Sequence, residues 1–274
     1  MKVYIVADFE GVSGVDGYDV FNPSLPGDVE KKRARVEYWV DELNAAILGA
    51  VAAGAREIVL LDNHSSGRTI PLGQLVGPAR LVHGSSRPTW LPILDATFDA
   101  LLFIGQHSMA NTRNGHLCHT YSRQRIDRVV LNGREIGEIG LGAGIAGSYG
   151  VPLVFLSGDD KAVAEARDLV PTVAAATVKI GLSTNSCSSL PRDEAVGLIR
   201  DRVEMALKDV AGGQRVRFEP PLELSIVYRW RESWRAAAKA ILRPRSGRIS
   251  GMRRLTISGG NLSEMWDRII GLGK

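Results

Sequence analysis

The chain has 274 residues, of which 45% are hydrophobic and 23% charged, with a formal net charge of +4. That balance excludes an intrinsically disordered chain. Only two cysteines are present, Cys118 and Cys187, which excludes a disulfide framework and a Cys-rich zinc site.

Val3–Ala7 is an apolar run that predicts a buried strand. Asp16–Glu30 is rich in Pro, Gly, Asn and Asp and predicts a loop. Glu30–Ala53 predicts a long amphipathic helix closed by Gly54. Glu57–Leu61, Ala100–Ile104 and Pro152–Leu156 predict three further buried strands, the last followed by a helix over about Lys161–Leu169. Arg128–Leu131 and Glu135–Ile139, joined by Asn132-Gly133, predict a hairpin with a type I′ turn. Beyond Pro191 the pattern is helix (about Asp193–Lys208), strand (Leu222–Val227), helix (Glu232–Leu242), strand (Arg254–Ile257) and helix (Leu262–Ile270). Short apolar strands alternating with helices predict an α/β fold with a mostly parallel sheet and helices on both faces. Leu182–Pro191, rich in Ser, Thr and Asn, is the expected linker between a metal-binding domain over 1–181 and a smaller C-terminal α/β unit over 191–274, unless the two are continuous.

No run of about 18 uncharged apolar residues is present, so no transmembrane helix is expected. No signal-peptide pattern follows Met1, and a cytoplasmic setting is expected. From Tyr228 to Lys274 there are eleven Lys/Arg against three Asp/Glu. This basic stretch carries no zinc-finger, RNP or Gly-x-x-Gly signature, so a solvated or subunit-facing surface is expected in place of a nucleic-acid site.

The chemistry gathers at strand ends. The first strand runs into Asp8-Phe9-Glu10-Gly11, the second into Asp62-Asn63-His64 and the third into Gly105-Gln106-His107. Ligands of an open parallel sheet bind outside the carboxyl ends of its strands. Asp8, Glu10, His64 and His107 are therefore expected on one rim. An oxygen and imidazole donor set without thiolate suits Zn²⁺ or Mn²⁺. If the first strand continued, Asp8 and Glu10 would project from the same face. A two-oxygen carboxylate can bridge two ions about 3.5–4 Å apart. His116 and His119 follow His107 closely and are candidates for a ligand or a general acid–base group. His83 reads as a turn residue.

Three other patterns point elsewhere. Gly142-Ala143-Gly144-Ile145-Ala146-Gly147 matches the dinucleotide fingerprint but does not follow a buried central strand, so close helix packing is the expected role of its glycines. Asp62-Asn63-His64 is similar to the Asn-His pairs of binuclear metallophosphoesterases, whose companion Asp-x-His is here Asp8-x-Glu10. Cys118 beside His119 reads as a small buried thiol more than as a nucleophile.

Taken in order, six segments resemble the zinc-dependent D-aminopeptidase family of the DppA type. They are Asp8-Phe9-Glu10-Gly11-Val12-Ser13-Gly14, Asp62-Asn63-His64-Ser65, Gly105-Gln106-His107, Cys118-His119-Thr120, Asn132 through Gly137-Glu138-Ile139-Gly140, and Gly158-Asp159-Asp160. The resemblance implies two zinc ions, with Asp8 bridging, Glu10 and His64 completing one ion, and His107 and Glu138 the other. Glu138 enters as a ligand by resemblance alone. The resemblance also implies His119 as the catalytic histidine, with His116 as the competing choice. It implies a metallo-aminopeptidase acting on short peptides of D-residues and a ring-shaped homo-oligomer. A binuclear phosphoesterase and a metal-stabilised binding protein are the rival readings.

Overall fold

A computed structural model describes residues 1–18, 24–230, 248–249 and 253–272. A seven-stranded sheet is built from β1 (Lys2–Ala7), β2 (Glu57–Asp62), β3 (Ala79–Val82), β4 (Ala100–Gln106), β7 (Leu153–Asp159), β8 (Ala174–Ser183) and β9 (Ser186–Ser189). Its order is β3-β2-β1-β4-β7-β8-β9, parallel except for the β8–β9 pair. A second sheet is antiparallel, built from β5 (Ile126–Leu131), β6 (Arg134–Glu135), β10 (Leu222–Tyr228), β11 (Arg248–Ile249) and β12 (Arg254–Gly259).

The helices are α1 (Pro26–Ala52), α2 (Glu138–Ser148), α3 (Asp160–Leu169), α4 (Arg192–Lys208) and α5 (Leu262–Ile270). The alternation of β1 divides the core. Val3, Ile5 and Ala7 face a layer with Trp39 and Leu43 of α1 and Ile199 and Val203 of α4. Tyr4 and Val6 face the other layer, which holds α2, α3, α5 and the inner side of the second sheet. Both faces of the parallel sheet are therefore covered, which is why its strands read as unbroken apolar runs. No helix among the described residues is long and apolar enough to cross a membrane.

Several expectations are corrected. The long helix starts at Pro26, not Glu30, because proline's missing N–H costs nothing at a helix start and Asp28 lies in the first turn. Leu182–Pro191 is no simple linker: it holds the turn and second strand of the β8–β9 hairpin. The strand expected over Glu135–Ile139 stops at Glu135, and α2 begins at Glu138. Alternating Glu and Ile fits a strand start or a helix start equally; burial of the following Gly-rich segment against Phe103 and Phe218 selects the helix. The hairpin Ile126–Glu135 pairs with C-terminal β10, so residues from both expected units share one sheet. The helix expected over Glu232–Leu242 lies outside the described residues. α5 matches its expected span: Asn261 caps it by accepting from the Glu264 N–H at 3.1 Å, and Gly271 closes it in the left-handed region.

The sheet order matters most for the site. From β1 the chain moves to β2 on one side, while β4 lies on the other, so the order reverses between β1 and β4. That reversal opens a crevice at the carboxyl ends of the two strands.

Candidate metal centre

Asp8 leaves β1 and His107 leaves β4 on the two sides of this crevice, and His64 follows β2. Glu10 arrives differently from the expectation. The strand ends at Ala7 and the chain turns, so Asp8 and Glu10 do not share a continuing strand face. The turn is held by Asp8 N–H donating to Ile104 O at 2.9 Å and Gly11 N–H donating to Gly105 O at 2.8 Å. From behind, the buried Lys179 ammonium donates to the backbone oxygens of Glu10 and Val15.

Two glycines make this close approach possible. A Cβ on Gly11 would sit 2.0 Å from Gln106 O, and one on Gly105 would sit 2.3 Å from Asp8 O. Gly105 also has φ +73°, a region other residues avoid. Gly105→Ala is therefore expected to destabilise the protein by about 2–4 kcal/mol, read by urea unfolding, and to lower its zinc content.

Glu138 comes from the opposite layer as the first residue of α2. Gly137 ahead of it has no room for a side chain, since a Cβ would lie 2.7 Å from Met109 Cβ as well as 2.2 Å from Glu165 Oε1. The Glu138 carboxylate accepts from the Tyr121 N–H at 2.7 Å, and Asn63 Nδ2 lies 3.5 Å from its other oxygen.

The five side chains meet. His64 Nδ1 is 3.1 Å from Glu10 Oε2 and 3.8 Å from Asp8 Oδ1. His107 Nε2 is 3.2 Å from Asp8 Oδ2 and 3.6 Å from Glu138 Oε1. The two oxygens of Asp8 thus face different imidazoles. Gln106 Nε2 donates to Asp8 Oδ2 at 3.2 Å. Ligand atoms of Asp8, Glu10 and His107 lie within 4.8 Å of one another, as do those of His107, His119 and Glu138. His107 belongs to both groups.

His119 stacks on His107 with ring centroids 4.0 Å apart and 15° between planes. His116 is not in this group; its ring is buried near Asp16 and Lys179. Asp62, in the same motif as His64, accepts from the Thr69 and Ile70 N–H groups and shapes the loop. Asp159 caps α3 through the Lys161 and Ala162 N–H groups, a structural role and not that of a ribose-binding acid. Gly142, Gly144 and Gly147 approach Phe103, Phe218 and the Val216 backbone, which accounts for the fingerprint-like spacing. Cys118 is buried and donates to Thr112 O at 3.6 Å.

The electrostatics follow from packing three carboxylates where none is more than 7% exposed. Burial works to raise Asp8, yet the His107 and His64 imidazoles hold it well below the usual carboxylate range. Burial likewise opposes ionisation of Glu10, and His64 overrides it. Burial pushes Glu138 up to about 7 against the pull of His107. Burial disfavours a charged His107, but Asp8 and Glu138 hold its proton well above the usual range. Burial, followed by the His107 charge, pushes His119 down to about 4.

The tautomers can be read from the backbone. A carbonyl only accepts, so His107 Nδ1 donates to Ser108 O at 2.9 Å and His119 Nδ1 donates to Leu117 O at 2.9 Å. With Nδ1 so committed, Nε2 is the ring nitrogen that gives up its proton when a cation takes the place of that proton. His107 Nε2 is buried and faces the carboxylate oxygens of Asp8 and Glu138 at 3.2 and 3.6 Å. An imidazole nitrogen aimed at convergent carboxylates, with the second nitrogen fixed by a carbonyl, suits a zinc ion. The residues present fit such an ion.

Sequence reasoning did not assign roles to Asn63 and Gln106, which orient Glu138 and Asp8. Both lie inside the strand-end motifs, but only their side-chain contacts reveal the role. Arg87, which donates to Asn63 Oδ1 at 3.2 Å, carries no signal in the sequence.

Residues 1–269 match the sequence profile of the peptidase M55 family, described as D-aminopeptidase. A D-aminopeptidase of Bacillus subtilis (strain 168) is 33% identical over 210 residues, which is 76% of this chain and 74% of that protein. The solved structure of the Zn-dependent D-aminopeptidase DppA from Bacillus subtilis, described as a self-compartmentalizing protease, is similar with a TM-score of 0.90. It is 26% identical, and the match covers 99% of this chain and 96% of that one.

Proposed function

The chain belongs to the D-aminopeptidase family, peptidase M55, and from that membership we propose a zinc-dependent enzyme that hydrolyses the N-terminal amide bond of short peptides beginning with a D-residue. The observation that carries the mechanism is the division of Asp8, with Oδ1 toward His64 and Oδ2 toward His107. This supports a site for two ions, with Glu10 and His64 on one side of Asp8 and His107 and Glu138 on the other. Zinc held there would supply the charge that polarises a carbonyl oxygen and acidifies water.

The chain's own groups do the rest. Phe9 and Trp39 wall the His64 side, with ring centroids 4.9 and 6.1 Å from the imidazole, and keep bulk water from it. Gln106 and Asn63 hold the carboxylates in place. His119, only partly buried, moves the proton. Its Nδ1 is committed to Leu117 O, so Nε2 takes a proton from the attacking water and returns it to the leaving amine. As the solved relative is a self-compartmentalizing protease, this chain is proposed to assemble into a ring-shaped homo-oligomer as well.

Chelation is expected to abolish hydrolysis of a D-alanyl dipeptide, and added zinc to restore it at close to two ions per chain. A generic phosphate ester should not turn over. Full activity in metal-stripped protein, or phosphate-ester hydrolysis without amide hydrolysis, would overturn the reading.

A further inference from the structure

The cluster is anionic, and Arg87 beside it makes no ion pair with an acid among the described residues. Arg87 lies on the loop after β3. Its Nη2 donates to Asn63 Oδ1 at 3.2 Å and its Nη1 to Asp62 O at 3.5 Å. Those are long contacts to neutral oxygens, from a group with five N–H donors. Among the described residues no carboxylate lies within ion-pair distance of it, whereas Arg35, Arg134 and Arg192 are paired with Asp16, Asp168 and Asp41. Arg87 is also largely withdrawn from water without being sealed off. A partly desolvated guanidinium is stabilised most by a carboxylate that can take two of its N–H groups.

Its position says which carboxylate. Asn63 bridges Arg87 to Glu138, so the guanidinium stands one amide side chain from the cluster. In a dipeptide held there by its N-terminal residue, the C-terminal carboxylate follows the scissile nitrogen by one residue, a reach of about 3.5 Å. We propose that Arg87 binds the C-terminal carboxylate of a dipeptide substrate and so selects free-acid dipeptides. The proposal rests on the peptidase reading. Lys179 is committed to the backbone oxygens of Glu10 and Val15 behind the turn, and Arg123 is exposed and stacked over Tyr18 at 4.0 Å, where water already solvates it.

The test compares D-alanyl-glycine with D-alanyl-glycinamide on zinc-loaded protein. Wild type should prefer the free acid by roughly 10- to 100-fold in kcat/KM, mostly through KM. Arg87→Gln should bring the ratio near one with zinc per chain at the wild-type value, while Arg123→Gln keeps the wild-type ratio. Equal wild-type kcat/KM for acid and amide would overturn the proposal without help from any variant. So would an equal loss on both substrates in Arg87→Gln, the mark of a residue that only positions Asn63, or a collapsed ratio in Arg123→Gln. Failure of zinc-replete wild type to cleave either substrate would instead overturn the peptidase reading itself.

Discussion

His107→Ala is expected to lower kcat/KM for a D-alanyl dipeptide by about a thousand-fold or more and to strip zinc from the protein. His107 is the one residue common to both candidate ligand groups. Its Nε2 stands between Asp8 and Glu138, 3.2 and 3.6 Å from their oxygens. Loss of metal-supplied charge stabilisation, worth several kcal/mol, corresponds to that factor at about 1.4 kcal/mol per tenfold. The variant also leaves Asp8 and Glu138 oxygens buried without their imidazole, which destabilises the metal-free protein. Zinc per chain and activity, measured on the same preparation, test this. Wild-type zinc content together with wild-type kcat/KM would remove His107 from the site.

His119→Ala is expected to lose roughly 10²- to 10⁴-fold in kcat, the usual contribution of a positioned acid–base group, while zinc is retained. The distinction from His107→Ala is the point of the experiment. His119 stacks on His107 and shares a candidate ligand group with it and Glu138; the proposed role is to move a proton, so zinc retention in the variant separates that role from holding the ion. His116→Ala gives the contrast. That ring is wholly buried near Lys179 and Asp16, so its removal should cost stability and leave kcat close to wild type. A large loss of kcat in His116→Ala with little loss in His119→Ala would reverse the assignment.

Much of the fold was legible because buried parallel strands are short unbroken apolar runs, and helices between them carry caps and glycine stops. The hairpin region shows where legibility ends. Asn132-Gly133 marks its turn, but the length of β6 depends on what Gly137 and Glu138 meet. Gly137 abuts Glu165, and the next helix buries its glycines against Phe103 and Phe218. Local pattern holds neither fact. The segment 182–191 was expected as a linker for a related reason. β9 is the edge strand of the sheet and mostly exposed, so its Ser-rich sequence carries no apolar run to mark it.

By itself the sequence determined the α/β class and the strands that run into Asp8, His64 and His107, and it offered an oxygen and imidazole donor set that suits Zn²⁺ or Mn²⁺. These depend on residue type and local order, which a linear chain carries in full. Only the tertiary structure decided that β1 and β4 flank the point where strand order reverses, that Glu138 reaches the same crevice from the opposite layer, and that His119 rather than His116 stacks on His107. It also decided that, among the described residues, Arg87 has no carboxylate within ion-pair distance. Each of these depends on how separate elements pack, fixed by sheet order and by glycines that let backbones touch, and no local pattern encodes it.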